Sequence, residues 1–329
     1  TEVTRLANWY EAQGISVVAV SLLHSYLDPQ QEKEVAAIFA SVTPEIDVVL
    51  SSDVLPELRE YERTLATCLN ASLMPGMKQH VERVIEEQEL SGTPFLIMKS
   101  SGGLSTADSV VKKPLTTALS GPSAAVVGMA WLGNKIGFKD LITLDIGGTS
   151  TDVSIIKQGV HESTRHGEIG GLPFKTPMVD VLTIGAGGGS IASRASDERW
   201  HVGPESAGAY PGPVCYGQGG ERVTLTDSHL VLGRLPRALL AGQVPLDFDA
   251  AYDALGKFGA HREFGAADSA RGILEIATHN MCGAIRKVSV QRGYDPREYV
   301  LLAVGGAGPL HAAELARLIG IETVVVPAQ

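Results

Sequence analysis

Hydrophobic and polar positions along this chain change period repeatedly, from helical to strand-like and back. Residues 3–13 are amphipathic at helical spacing, and residues 15–22 (ISVVAVSL) form a β-branched run typical of a strand covered on both faces. Pro29 opens a predicted helix through residue 39, and residues 47–50 read as a short strand. Residues 58–88 are long, helical and charged, with an interruption expected at Pro75-Gly76. Residues 95–99 are strand-like and run into a Ser-Ser-Gly-Gly turn at 100–103. This alternation predicts a mostly parallel sheet.

A second part begins near Leu119. Ser120-Gly121-Pro122 precedes a small-residue helix at 123–133, and the apolar runs 141–145 and 152–156 flank a Gly/Thr/Ser turn, a hairpin pattern. Residues 179–184 form another strand that ends in Gly-Ala-Gly-Gly-Gly-Ser, with a helix expected to start at Ile191. Residues 203–220, rich in Gly and Pro and without apolar period, are expected to form a long surface loop, a kind of segment that often carries function. A helix at 267–292, a strand at 299–304, a helix at 310–318 and a strand at 322–326 follow. The expected division is 1–118 and 119–329.

Composition narrows the class. A hydrophobic fraction of 44%, a charged fraction of 19% and a net charge of -10 describe a globular chain with no apolar run of membrane-spanning length. The acidic balance argues against nucleic acid or an anionic membrane as main partner. Cys68, Cys215 and Cys282 are too few and too scattered for a disulfide framework or zinc cluster, which fits a reducing, cytoplasmic setting. The start at Thr1 rather than Met suggests a chain that begins partway through a longer protein.

Three glycine-rich turns carry the candidate chemistry. In Asp145-Ile146-Gly147-Gly148-Thr149-Ser150-Thr151-Asp152 a carboxylate leaves a buried strand, two glycines and three hydroxyl residues follow, and a second carboxylate closes the turn. Glycines let backbone N–H groups approach an anion, and the carboxylates suit hydrated Mg²⁺ or an attacking water. The plain alternative is a tight hairpin with solvated polar residues. Residues 304–309, with Gly305, Gly306 and Gly308, turn a strand into a helix; they would border a base or ribose, although many α/β proteins turn this way without a ligand. Residues 185–190, with Gly187 and Gly188, would cradle an anion at a helix start or serve as a linker. None of the three has the G-x-G-x-x-G spacing of a dinucleotide-binding unit.

In this order the elements resemble the actin, hexokinase and heat-shock-chaperone superfamily: 145–152 its second phosphate motif, 120–133 and 277–290 its connecting helices, 304–309 its adenosine motif. Within it, PELREYER at 56–63, SGP at 120–122, LDIGGTSTDV at 144–153, GAGGGSIA at 185–192, VGPESAGAYPGPVCYGQGG at 202–220 and TDSHLVLGRL at 226–235 resemble hydantoinase A, 5-oxoprolinase and the related ketone carboxylase subunits. The resemblance implies an α/β fold of the actin-like ATPase (ribonuclease H-like) type, with a mixed sheet flanked by helices and part of a second lobe. Family members open with a further Asp-Gly-Gly-Thr-x-Thr-Asp copy; this sequence has one, so residues 1–118 would be the remainder of an N-terminal lobe.

The same resemblance implies ATP-dependent opening of a cyclic amide, with ATP and Mg²⁺ as cofactors and a hydantoinase B-type subunit or self-association as partner. Asp145 would position metal or water, Asp152 would be the second carboxylate, and Gly147, Gly148 and Thr149 would hold phosphates. A carboxylase subunit and a non-catalytic nucleotide switch are the alternatives. Cys215 reads as a nucleophile or as a small packed residue. Glu205 and Tyr210 would orient substrate or stabilise the loop. Asp227 and His229, on one face if extended, lack a third ligand. His311 shows no ligand spacing. Glu57, Glu60 and Tyr61 fit one helix face, solvated or at an interface.

Overall fold

The computed structural model describes residues 1–87, 94–169, 171–239 and 242–328. The expected helix end at Gln88 and the terminal Gln329 lie outside them. The chain forms two compact units, Thr1–Ala124 with Ser163–Val179, and Ala125–Glu162 with Asp180–Gln329.

In the first unit the β-branched run supplies the Val17–Val20 strand, which pairs in parallel with Asp47–Leu50. Helices Glu2–Ala12 and Gln30–Val42 close a small core there through Ala7 and Phe39. The Glu60–Glu87 helix runs unbroken through Pro75, against the interruption expected. Proline removes one N–H from the ladder, but Ala71 and Met74 beside it are buried with Val49, and that packing keeps the helix on course. The other pairs described in this unit are antiparallel, Leu96–Met98 with Leu104–Thr106 and Ser163–Ile169 with Leu172–Val179. The expectation of a mostly parallel sheet is therefore corrected: connections this short cannot make a parallel crossover.

The PELREYER segment also differs from expectation. Its helix begins at Glu60, so Glu57 lies outside it and pairs with Arg165 at 2.5 Å. Arg63 is wholly buried; its guanidinium donates to Ser51 Oγ at 3.1 Å and to the Leu22 carbonyl at 2.7 Å. Ser51 Oγ in turn donates to Glu32 at 2.6 Å. Hydrogen bonds from Ser51, Ser52 and Leu22 draw the Glu32 carboxyl below its usual range, outweighing the larger opposing effect of burial. A buried charge is tolerated only when its hydrogen bonds are met, as here.

The second unit is built on a mixed sheet in the order Leu182–Ile184, Thr151–Lys157, Leu141–Ile146, Val300–Val304, Val324–Val325, with Val160–His161 also paired to Thr151–Lys157. Pairing is antiparallel up to Leu141–Ile146 and parallel beyond it, so that strand has one neighbour of each kind. Leu141–Ile146 and Val300–Val304 are central and almost wholly buried, which is why both read as continuous apolar runs. Helices Ala266–Val288 and Gly308–Ile319 pack against this sheet, and the shared core includes Leu144, Ile146, Ile285, Leu301 and Leu315.

Around the glycine-rich turns several elements depart from expectation. The expected 179–184 strand is two strands, Leu172–Val179 and Leu182–Ile184. Ser190–Arg194 is a strand paired with Trp200–Ser206, not the start of a helix, and Ile191 bridges Thr224. Much of the expected surface loop at 203–220 is therefore ordered against neighbours: its first residues are strand, and Val214–Tyr216 is a short 3-10 turn that buries Cys215 completely.

Candidate functional site

Asp145 and Asp152 are direct partners across the antiparallel hairpin, and Val304 lies beside Asp145 on the other side, in the parallel register. Three separated segments thus bring their ends to one edge of the sheet. The turn after Val304 is fastened to the turn after Asp145: Ala307 N donates to the Ile146 carbonyl at 3.0 Å. Gly305 has φ +80°, and a Cβ there would run into the Ile146 carbonyl and the Asp145 carboxylate. Only glycine combines that backbone with so close an approach.

The third turn joins them through its backbone. Gly188 N donates to the Gly147 carbonyl at 3.0 Å, and Gly189 N to the Gly148 carbonyl at 2.6 Å. Gly187 lies so close to the Thr149 and Ser150 amides that a Cβ would sit 2.6 and 2.7 Å from their nitrogens. Thr226, in the first turn of the Leu225–Val231 helix, donates from its hydroxyl to the Gly188 carbonyl at 2.8 Å. Among the described residues, the amides of Gly148, Thr149 and Ser150 have no acceptor. Unspent donors on adjacent residues are what an anion requires. The helix dipole expected at 185–190 is absent, because a strand follows; any anion contact there comes from amides alone.

Gly147, Gly148, Gly188 and Gly306 line one cavity of about 230 Å³, together with Ala307, Tyr216, Thr226, His229 and three leucines, Leu235, Leu239 and Leu310. Larger hollows of about 580, 610 and 630 Å³ lie elsewhere, and none is lined by any of these four glycines. Size is a weaker guide than the convergence of chemistry-bearing turns, so the smaller cavity is the candidate site. Asp145, Asp152, Thr149, Gly187, Gly305 and Gly308 stand behind or beside these lining residues; Gly308 opens the Gly308–Ile319 helix next to the Leu144 carbonyl.

Burial raises the carboxyl of Asp145 above its ordinary range. Asp152 is raised for the same reason and further by the charge of Asp145, against a hydrogen bond from Thr183 Oγ1 at 2.5 Å. Neither carboxylate has a basic partner among the described residues. No group of three or more metal-ligating side chains occurs among those residues. Mg²⁺, however, keeps several waters and takes only one or two carboxylates beside its phosphates, so two uncompensated oxygen donors fit it.

The remaining candidates separate clearly. Cys215 is wholly buried, and burial, with the Asp227 charge after it, pushes its thiol up, the setting of a packed residue rather than of an activated thiolate. Asp227 and His229 lie on a helix, not a strand, and so do not share a face. Asp227 completes a capping box with Thr224 and accepts from Cys215 N at 2.8 Å, which is a structural role. Glu205 pairs with Arg222 at 2.8 Å, and Tyr210 is exposed. His229 meets His311, both buried, at 3.0 Å between Nε2 atoms. The apolar wall of Tyr216, Leu235, Leu239 and Leu310 carried no periodic signal; only the 203–220 segment and the TDSHLVLGRL segment drew attention to its neighbourhood.

Comparison with known proteins finds one family and several relatives. The Hydantoinase/oxoprolinase family matches residues 63–329. Caprolactamase subunit alpha of Pseudomonas jessenii is 36% identical over 97% of the chain and 47% of its own length. The crystal structure of that ATP-dependent caprolactamase superposes with a TM-score of 0.86, covering 99% of this chain and 48% of that one. A nucleotide-free acetone carboxylase, from work on ATP-dependent acetone carboxylation, superposes at 0.84 with 31% identity, over 99% and 47%. 5-Oxoprolinase 1 of Arabidopsis thaliana is 34% identical over 95% of the chain and 26% of its own length. The chain thus spans about half the length of the first two relatives.

Proposed function

The chain belongs to the hydantoinase/oxoprolinase family, and from that premise we propose that it is the nucleotide-binding part of an ATP-dependent cyclic amide hydrolase. The observation that carries this reading is the meeting of three distant glycine turns on a single cavity. We read residues 119–329 as an actin-like ATPase lobe and 1–118 as the remainder of the lobe before it. A cytoplasmic setting and a B-type partner subunit, or self-association, belong to the same reading; the relatives include subunits of larger enzymes. Among the described residues no helix is long and apolar enough to cross a membrane.

An unstrained lactam is a poor electrophile. Transfer of the γ-phosphoryl group to its carbonyl oxygen releases ADP. Water then adds to that carbon, the ring C–N bond breaks as the protonated nitrogen leaves, and a second water hydrolyses the resulting acyl phosphate to carboxylate and phosphate. In this scheme the amides of Gly148, Thr149 and Ser150 donate to phosphate oxygens, and Gly147, Gly188 and Gly306 let the nucleotide approach backbone closely. Gly187, Gly305 and Gly308 allow the turns to nest. Asp145 and Asp152 hold the cation or orient water. Magnesium, when bound, would supply charge neutralisation for the transferring phosphoryl group.

A second reading, the nucleotide-binding subunit of a ketone carboxylase, draws on the acetone carboxylase superposition, which nearly equals that of the caprolactamase. One assay separates them: phosphate release by the full-length protein with its partner subunit, on caprolactam, 5-oxoproline and hydantoin against acetone or acetophenone with bicarbonate. Stimulation by a cyclic amide supports hydrolysis; stimulation by ketone plus bicarbonate alone replaces it with the carboxylase.

A further inference from the structure

The cavity has two chemically different kinds of lining. Some of its lining is glycine backbone; the rest includes Tyr216, Leu235, Leu239 and Leu310, and His229. An apolar slot suits the face of a base, yet the polar edge of a base buried there without a partner would cost affinity. His229 is the side chain equipped to meet it. It is 1% exposed, and its Nε2 is committed to His311 Nε2 at 3.0 Å, the rings crossing at 78°. Its Nδ1 is buried and has no hydrogen-bond partner among the described residues, and the same is true of His311 Nδ1. Buried polar atoms left unpaired are rare and call for an explanation.

We propose that His229 Nδ1 reads the six-position edge of a purine bound in this cavity, with His311 fixing the orientation of its ring. The proposal rests on the nucleotide-binding reading above and adds the group that sets nucleotide choice. Two neutral imidazoles joined through Nε2 share one proton between those atoms. If His311 donates, His229 Nδ1 carries a proton and donates to the ligand; if His229 donates, its Nδ1 is a bare acceptor. Either arrangement distinguishes an amino group from a carbonyl oxygen on the base. His311 lies in the first turn of the Gly308–Ile319 helix, directly after the Gly306-Ala307 turn that lines the cavity. Ring orientation and the position of that turn are thereby set by the same helix.

The test is titration of the full chain with ATP and with inosine triphosphate, which exchanges the six-amino group for a carbonyl, by displacement of a ribose-labelled fluorescent nucleotide. Wild type is expected to favour one of the two clearly. His229→Gln keeps an amide at the Nε2 position for His311 and removes Nδ1. It is expected to weaken the favoured nucleotide by at least about ten-fold, and to bring the two affinities together, with little change in unfolding temperature. Unchanged discrimination in His229→Gln, or equal affinities in wild type, overturns the role of His229 while leaving nucleotide binding intact. Failure of wild type to bind either nucleotide sinks the nucleotide-site reading itself. Should His229→Gln not fold, ¹⁵N-histidine spectra of wild type decide: an imidazole Nδ1 resonance must move on saturation with the favoured nucleotide, and no movement overturns the proposal.

Discussion

Asp145 and Asp152 face one another across the last rungs of a hairpin, two half-buried carboxylates held in register with no basic side chain paired to either among the described residues. Folding gains nothing from bringing like charges together out of water; the arrangement is explicable if a cation or a reacting group stabilises it. Replacing Asp145 by Asn is expected to abolish nucleotide turnover in the full-length protein while leaving the unfolding midpoint unchanged or higher. Phosphate-release kinetics beside a thermal melt check both halves. Normal turnover in Asp145→Ala would remove Asp145 from the mechanism.

Gly305→Ala tests how tightly the turns nest. The residue sits at φ +80° with the Ile146 carbonyl and Asp145 behind it. The left-handed backbone alone costs a non-glycine residue about 1–3 kcal/mol, and the backbone clash adds to this. Denaturant unfolding should show a loss in that range or larger, accompanied by loss of nucleotide affinity. A stable variant with wild-type affinity would mean that the turn has room to move.

The buried histidine pair predicts a pH dependence of stability. Burial holds His229 down to about 3, reinforced by the neighbouring charges of His311 and Arg234, and His311 down to about 4, reinforced by Arg234. The unfolded chain takes up protons near pH 6.5. Below that pH the unfolded state binds protons that the folded pair refuses. The stability due to neutral histidines is therefore complete above about 6.5 and is lost as pH falls toward 4 and 3. Each histidine contributes a slope of up to about 1.4 kcal/mol per pH unit within that window. Melts of wild type and His229→Gln between pH 7 and 4.5 should diverge in that direction.

Thiol reactivity separates the cysteines. Cys68 is exposed, whereas Cys215 and Cys282 are buried with thiols pushed up by burial. A thiol reagent should label Cys68 quickly and the other two only on unfolding, and Cys215→Ala should keep turnover. Rapid labelling of Cys215 in the folded chain would reopen a catalytic role.

Much of this site could be read along the chain because its signals are local. A carboxylate at the end of an apolar run, two glycines, hydroxyls and a second carboxylate specify a hairpin turn at 145–152 without outside help, and the strand-to-helix turn at 305–308 is similarly self-contained. What sequence could not determine was every feature fixed by partners far away in the chain. Whether 190–194 is helix or strand is decided by pairing with 200–206; the 225–231 helix, by contrast, carries a local signal, since Thr224 and Asp227, three residues apart, form its capping box. His229 and His311 stand 82 residues apart, and nothing at either position announces the other. Composition and period set the central strands and the turns that follow them; the register of Asp145 against both Asp152 and Val304, and with it the cavity, arose only when the sheet assembled, because side-chain proximity between distant segments is a property of packing and not of any local stretch.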